Sequence, residues 1–196
     1  SAKQLLPQEE KLEIAKHKSE LFIGIPKETS YQERRICLTP DAVSSLVNHG
    51  HRVMVECGAG KNASFSDKDY SDAGAEVTHD TKKIFSCPII LKVEPPTLEE
   101  IEMMNMEAIL ISAIQLKTQK KEYFEAITKK KITSLAFEFI KDSDGSYPAV
   151  KSLSEIAGTA SVLIAAELMI NNNDGKGLIF GNITGVPPTE VVILGA

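Results

Sequence analysis

The sequence has 196 residues, 42% hydrophobic and 25% charged, enough to bury the core of one ordinary domain, with or without appendages. Its formal net charge of −5 argues against a nucleic-acid or anionic-membrane partner, because both attract basic proteins. We find no apolar run that approaches the ~20 residues needed to span a bilayer, and no signal sequence, so we expect no membrane insertion. Three widely spaced cysteines suit a reducing cytoplasm and form neither a disulfide framework nor a metal site.

Along the chain, apolar runs and helical patterns alternate. Residues 1–20 are predicted to be an N-terminal helical arm. After it, strands are predicted at 21–25, 52–56, 76–77, 88–93, 108–113 and 132–138. Helices are predicted at 40–48, from Ser66, from Thr97 and at 120–130. Nearly continuous apolar strands separated by helices are typical of a parallel sheet covered on both faces. The predicted fold class is therefore α/β, doubly wound, with a mostly parallel sheet.

Short polar signals mark where these helices begin and end. Thr39 is predicted to be an N-cap, with Gly50 as the matching C-cap. Capping boxes are predicted at Ser66 with Asp69 and at Thr97 with Glu100. The glycines of segment 58–60 are interpreted as a tight turn rather than a phosphate-binding loop.

The last quarter of the sequence predicts a change of organisation. A long apolar helix at 152–170 precedes an Asn/Gly-rich linker, and residues 190–194 are predicted to be a strand that enters a glycine turn at Gly195. A strand followed by such a turn begins a dinucleotide-binding fingerprint, so Gly195 is a candidate cofactor-binding residue. We expect a fragment divided into the arm 1–20, a substrate-binding domain 21–150, a linking helix and linker 151–189, and the first strand of a nucleotide-binding domain at 190–196.

Several motifs, in order and with similar spacing over residues 21 to 196, resemble the alanine dehydrogenases and the alpha subunit of NAD(P) transhydrogenase. They are the segments 24–28, 33–40, 50–53, 56–60, 66–70, 73–75, 90–93, 154–158 and 185–195. Segments 136–138 and 144–148 look more like alanine dehydrogenase. The resemblance implies a Rossmann- or flavodoxin-like substrate domain and NAD bound mainly by a second domain. It also implies reversible oxidative deamination of alanine to pyruvate and ammonia, and a homo-oligomer, either a hexamer or a dimer.

The resemblance also assigns roles to individual residues. Arg35 is expected to bind the substrate carboxylate, because a guanidinium can hold it with two parallel hydrogen bonds. Without the resemblance, Arg34 and Arg35 would be interpreted as solvated loop residues. Lys92, in an apolar strand, is expected to contact substrate and to take part in catalysis; pairing with Glu94 at the sheet edge is the alternative.

One further residue and two carboxylates are also assigned to the expected site. Ser154 is a candidate contact to the nicotinamide, although N-capping of its helix would also explain it. Glu28 and Glu138 are interpreted as carboxylates that support the site, with solvated or structural roles as alternatives.

Gln115 departs from the family pattern, because it stands where many alanine dehydrogenases carry a histidine that acts as general acid and base. A glutamine can hydrogen-bond a carbonyl but cannot exchange a proton near neutral pH. Four interpretations stay open. The protein is an alanine dehydrogenase whose acid or base is Lys92, an aspartate of the missing domain or a bound water; it acts on a related substrate; it is a transhydrogenase-like subunit; or it is a non-catalytic domain that binds amino or keto acids.

Overall fold

A computed structural model describes residues 20–181 and 183–194 of the chain. Its sheet has six parallel strands in the order β3-β2-β1-β4-β5-β6. The strands are β1 (Phe22–Ile25), β2 (Arg52–Glu56), β3 (Glu76–Thr78), β4 (Ile89–Leu91), β5 (Ile109–Ser112) and β6 (Thr133–Ala136). The predicted α/β fold class with a parallel sheet is thereby confirmed.

Strand β1 lies at the centre of this order, and the chain proceeds away from it in both directions. It pairs with β2 over four residues on one side and with β4, through Ile23↔Ile89 and Gly24↔Ile90, on the other. The sheet therefore has its topological switch point between β1 and β4. In open α/β sheets, ligands bind beyond the carboxyl ends of the strands at such a point.

Five helices connect the strands: α1 (Pro40–Asn48), α2 (Asp67–Asp72), α3 (Thr81–Phe85), α4 (Leu98–Met103) and α5 (Lys121–Lys129). A short 3-10 turn, Lys61–Ala63, precedes α2. The capping boxes at Ser66 and Thr97 are both formed, and Thr39 caps α1 as predicted. The C-cap of α1 is His49 rather than Gly50, and Gly50 follows it with φ +88°.

The two faces of the sheet carry separate apolar clusters. One contains Met54, Ile90 and Leu110 with buried side chains of α3, α4 and α5. The other contains Val53, Val55 and Ile25 with Val43 of α1 and Tyr70 of α2. Neighbouring residues of β2 thus point to opposite clusters, as the two-residue period of a strand requires. Helices cover both faces, which explains why the strands show almost no polar alternation.

Helix α3 was not predicted from the sequence. It has only five residues, too few for a helical period to stand out, and its clearest local signal is the Asp80 side chain, which accepts from the backbone N–H of Lys83. Gly24 of β1 accommodates this helix, since a Cβ there would lie 2.6 Å from the carbonyl oxygen of Ile84. The close approach of α3 to the central strand therefore depends on a glycine.

The chain divides into two units, one ending at Ala136 and the other beginning at Phe137. The second contains a 3-10 turn (Phe137–Phe139), the 22-residue helix α6 (Pro148–Met169) and another 3-10 turn (Asn171–Asn173). A turn lies near residues 142–146, with the Gly145 N–H donating to the Asp142 carbonyl. The four-part domain division from the sequence stays a prediction.

Two expectations for this second unit were wrong. Helix α6 begins at Pro148, so Ser154 lies within it and does not cap it; proline is favoured in the first turn, where its missing N–H is not needed. Residues 190–194 do not form a strand, and they pair with none of the six described strands. The arm helix predicted before Glu20, and Gly195, lie outside the described residues.

Helix α6 also corrects the expectation that no segment is long enough to span a membrane. Its 22 residues have a mean hydropathy of 1.3 over the most apolar window, and none of them is buried. By length and composition alone the helix could cross a bilayer. Such a helix is weak evidence for a membrane location, because helices of soluble proteins pass the same test.

Candidate active site

Charged side chains gather beyond the carboxyl ends of β1 and β4, at the switch point of the sheet. Lys92 directly follows β4, and its backbone N–H still donates to the carbonyl of Ile111 (3.0 Å). Its side chain is only 1% exposed. An ammonium so thoroughly removed from water needs carboxylate partners, because desolvating an unpaired charge costs several kcal/mol.

Lys92 has two such partners. Its Nζ lies 3.0 Å from Glu100 Oε1 and 3.4 Å from Glu28 Oε2. Both carboxylate side chains are themselves at most 8% exposed. We call these three residues the buried triad. The alternative pairing of Lys92 with Glu94, weighed from the sequence, is therefore not the one that the structure forms.

Local structure holds each carboxylate of the triad in place. Glu28 lies in the loop after β1, where Oε1 accepts from the backbone N–H of Val93 (2.6 Å) and so ties that loop to the end of β4. Glu100 is the third residue of α4, where Oε2 accepts from the N–H of Thr97 (2.7 Å) in the capping box. Glu100, the carboxylate of the capping box, is thus also an ion-pair partner of the buried Lys92 ammonium.

Arg35 is the second cation of the site, and it is far more accessible, with half of its side chain exposed. Glu33 holds it with two hydrogen bonds, from Nε to Oε1 (2.8 Å) and from NH2 to Oε2 (2.6 Å). The Arg35 backbone N–H donates to the same carboxylate. The Arg35 guanidinium holds the pKa of Glu33 below its usual value. The bidentate pair uses Nε and NH2 of Arg35, and NH1 takes no part in it.

Electrostatic coupling indicates that the triad and Arg35 share one neighbourhood. Burial raises the pKa of the Cys37 thiol to about 12, and the charges of Glu28, Lys92 and Arg35 all act on it. Glu28 and Glu94 both stabilise the charged form of Arg35. The Cys37 thiol therefore stays protonated beside these charges and does not act as a nucleophile.

Gln115 follows β5 in the left-handed region, with φ +52°. Its Nε2 lies 3.4 Å from Glu94 Oε2, and its backbone carbonyl accepts from the Thr118 hydroxyl (3.0 Å). This conformation is uncommon for a non-glycine residue, and four other described residues adopt it: Ser64, Glu107, Lys131 and Asp174. Gln115 thus lies at the carboxyl end of the strand next to β4 and contacts a carboxylate that acts on Arg35.

The first unit therefore contains four of the residues predicted for the site, Arg35, Lys92, Gln115 and Glu28. Ser154 is exposed on α6 and Glu138 lies in a 3-10 turn, both in the second unit. Glu33 was not recognised from the sequence, although a carboxylate two residues before an arginine was a usable signal. Glu100 was recognised only as a helix cap.

Comparisons with known proteins agree with this geometry. Residues 24–157 match the family model described as the N-terminal domain of alanine dehydrogenase/PNT. An alanine dehydrogenase of Staphylococcus epidermidis is 37% identical over 173 residues, which are 88% of this chain and 46% of that protein. The chain thus spans about half the length of the curated relatives it matches.

Two solved structures extend the comparison to the fold. A structure of L-alanine dehydrogenase matches 86% of this chain and 46% of its own, with a TM-score of 0.80 and 34% identity. A transhydrogenase from Sinorhizobium meliloti matches 61% of this chain and 35% of its own, with a TM-score of 0.56 and 29% identity. With a family model that covers most of the sheet and the whole charged site, the chain belongs to the alanine dehydrogenase/PNT family, through that family's N-terminal domain.

Proposed function

We propose that this chain is the substrate-binding part of an NAD-dependent oxidoreductase that converts L-alanine reversibly to pyruvate and ammonia. The observation that carries the proposal is the pair of cations, Arg35 and Lys92, beyond the carboxyl ends of the strands at the switch point. The family membership and the higher structural similarity to alanine dehydrogenase than to transhydrogenase support it.

In this proposal Arg35 binds the carboxylate of alanine or pyruvate. Glu33 fixes the plane of the guanidinium through Nε and NH2, so NH1 can approach a ligand from the exposed side at little further cost in side-chain entropy. Lys92, deeper at the end of β4, acts on the amine or carbonyl end of the substrate. Gln115 supplies a hydrogen bond rather than a proton, because an amide does not titrate near neutral pH.

A nicotinamide dinucleotide, when bound, accepts the hydride that leaves the Cα of alanine. Ser154 is the described residue that we propose to contact it, with Gly195 as a further candidate. Ser154 is exposed, and a Cβ added to Gly158, one turn later, would have no heavy atom within 4 Å. This stretch of α6 is therefore accessible to a ligand.

The proposed reaction is tested by reductive amination of pyruvate with ammonia and NADH, using the complete protein. We expect turnover between about pH 7 and 10, where enough ammonia is unprotonated and general acid–base groups can operate. Absence of turnover across that range contradicts the assignment to alanine. We expect residues 1–196 alone to be inactive, because most cofactor contacts are proposed to lie outside them.

A transhydrogenase-like function is the second candidate, and Gln115 is the observation that favours it. A subunit that passes hydride between nucleotides needs no acid or base for an amino acid. Hydride transfer between two nicotinamide nucleotides, without any response to pyruvate or alanine, would select this candidate.

We further propose that the protein is cytoplasmic and assembles as a homo-oligomer, a hexamer or a dimer. The three cysteines, none of them in a disulfide, are compatible with a reducing compartment. Light scattering of the complete protein measures its assembly directly.

A further inference from the structure

The buried triad contains one negative charge more than it can neutralise. Two carboxylates, Glu28 and Glu100, face the single ammonium of Lys92, and all three side chains are at most 8% exposed. Excess charge away from water is unfavourable and is relieved when one member binds a proton. The question is which carboxylate is able to do so.

The hydrogen bonds distinguish the two carboxylates. Glu100 uses both oxygens, one for Lys92 and the other for the N–H of Thr97. Glu28 uses Oε1 for the N–H of Val93, whereas its buried Oε2 makes no hydrogen bond within the described residues and meets Lys92 only as an ion pair at 3.4 Å. Glu28 Oε2 is therefore a position where a proton can be added without breaking a hydrogen bond.

The surroundings of Glu28 favour this protonation. Burial raises the pKa of Glu28 above its ordinary value, and Lys92 and the backbone N–H groups of Val93 and Glu94 offset only part of that rise. Arg35 and the thiol of Cys37 are the other titratable groups that couple to Glu28, and Glu100 reaches it through Lys92. The two cations near Glu28 also pair with other carboxylates: Arg35 with Glu33, and Lys92 with Glu100.

We propose that Glu28 is the positioning residue that receives the reaction's proton through Lys92, in place of the histidine that Gln115 replaces. The inference deepens the proposed function and depends on it. Glu28 does not touch the substrate in this scheme; Lys92 does, and Glu100 keeps Lys92 in place.

The proton balance of the step is simple. The ammonium group of bound alanine loses one proton before hydride leaves its Cα; the N–H bond breaks and its electron pair stays on nitrogen. The Lys92 ammonium gives a proton to Glu28 Oε2 and takes up the proton from the substrate. Lys92 ends as an ammonium, Glu28 ends as a carboxylic acid, and the amine is ready to assist loss of hydride to the nicotinamide.

The test compares Glu28→Gln, Glu28→Asp and Glu100→Gln in the complete protein, with alanine and NAD as substrates. Glutamine keeps an acceptor for the Val93 N–H but cannot hold the proton. We expect Glu28→Gln to lower kcat about 100-fold, the usual scale of an acid–base contribution, and to remove the acidic limb of the pH profile. We expect Glu28→Asp to retain a displaced limb, and Glu100→Gln to raise KM while the limb stays.

The role of Glu28 is overturned if Glu28→Gln leaves the pH profile unchanged. It is also overturned if Glu28→Gln and Glu100→Gln lower kcat equally and both keep the two limbs of the profile. Infrared spectra of protein labelled with isotopic glutamate, compared between wild type and Glu28→Gln, give a readout that needs no turnover. A buried glutamic acid carbonyl band is expected to titrate with the acidic limb, and its absence counts against the proposal. A wild-type protein without turnover contradicts the proposed function instead, so the two failures are distinguishable.

Discussion

Arg34 and Arg35 are neighbours in sequence but differ in what holds them. Arg35 is fixed by a bidentate pair with Glu33, whereas Arg34 is an exposed residue of the same loop. A fixed guanidinium binds a carboxylate with a smaller loss of side-chain entropy than a mobile one. The two arginines therefore provide a matched pair for testing the site.

We expect Arg35→Ala to raise KM for pyruvate about 100-fold, the cost of removing one partner of a hydrogen-bonded charge pair. Arg34→Ala is the control and is expected to change KM by less than about twofold, as is usual for an exposed residue. Steady-state kinetics of the complete protein measure both. Similar KM values for the two variants contradict the role of Arg35.

Glu28 predicts how the stability of the first unit depends on pH. Because its pKa is raised above the ordinary value of 4.5, its contribution to folding is fully present below that pH and is lost as pH rises through the folded-state pKa. Glu28→Gln cannot ionise and avoids this loss. We therefore expect the free energy of unfolding of Glu28→Gln to increase relative to wild type as pH rises from about 4 to 8.

Urea unfolding of both proteins at several pH values measures that difference. A difference that is constant with pH, or that declines as pH rises, means that the folded state does not raise the pKa of Glu28. Glu33→Gln is a useful contrast, because the lowered pKa of Glu33 predicts the opposite dependence: stability lost as pH falls.

At the scale of elements, the capping boxes of α2 and α4 have the same chemistry and different surroundings. Ser66 and Asp69 satisfy only each other and the helix end. The Thr97 hydroxyl accepts from the Glu100 backbone N–H, and the Thr97 backbone N–H donates to Glu100 Oε2. The other carboxylate oxygen of Glu100 accepts from Lys92. The N-terminus of α4 is thus connected to the site by one side chain.

We expect Ser66→Ala and Thr97→Ala to destabilise the first unit similarly, by about 1 kcal/mol each, the usual loss for an N-cap. Only Thr97→Ala is expected to raise KM for pyruvate as well. Loss of the hydroxyl that accepts from the Glu100 backbone N–H loosens the first turn of α4, and with it the carboxylate that pairs with Lys92. Denaturant unfolding combined with kinetics separates the two effects. An equal KM in both variants indicates that the cap is structural only.

Local patterns predicted the elements well where a signal was strong. The buried strands were recognised from apolar runs. The N-caps Ser66 and Thr97 were recognised from the spacing to Asp69 and Glu100, and Thr39 from its place before a helical pattern. Helix α3 was missed because five residues show no period. The partners of Lys92 could not be deduced, because Glu28 lies on another strand's loop and several glutamates could have reached it.

At the scale of the whole chain, the core belongs to the first unit. Both apolar clusters lie within residues 22–132, and none of the residues at 137–181 or 183–194 is buried. The strand predicted at 190–194 shows why this could not be foreseen: an apolar pattern indicates the capacity to pair, whereas pairing also requires neighbouring strands.

We expect residues 1–136 to fold without the second unit, because burial of apolar surface is the main favourable contribution to folding. The midpoint of urea unfolding should match that of residues 1–196 when followed by circular dichroism. A loss of cooperative unfolding on removing residues 137–196 contradicts this expectation. The comparison also reports whether α6 contributes to stability.

The position of β1 between β2 and β4 has a consequence for synthesis on the ribosome. Strand β1 is made first, yet its β4 edge stays open until residue 91 has been translated. Glu28 likewise emerges long before Val93, which lies 65 residues further along the chain. During that interval the carboxylate remains in water, and its burial must coincide with the arrival of Lys92. The last step in completing the centre of the sheet is therefore also the step that assembles its charged site.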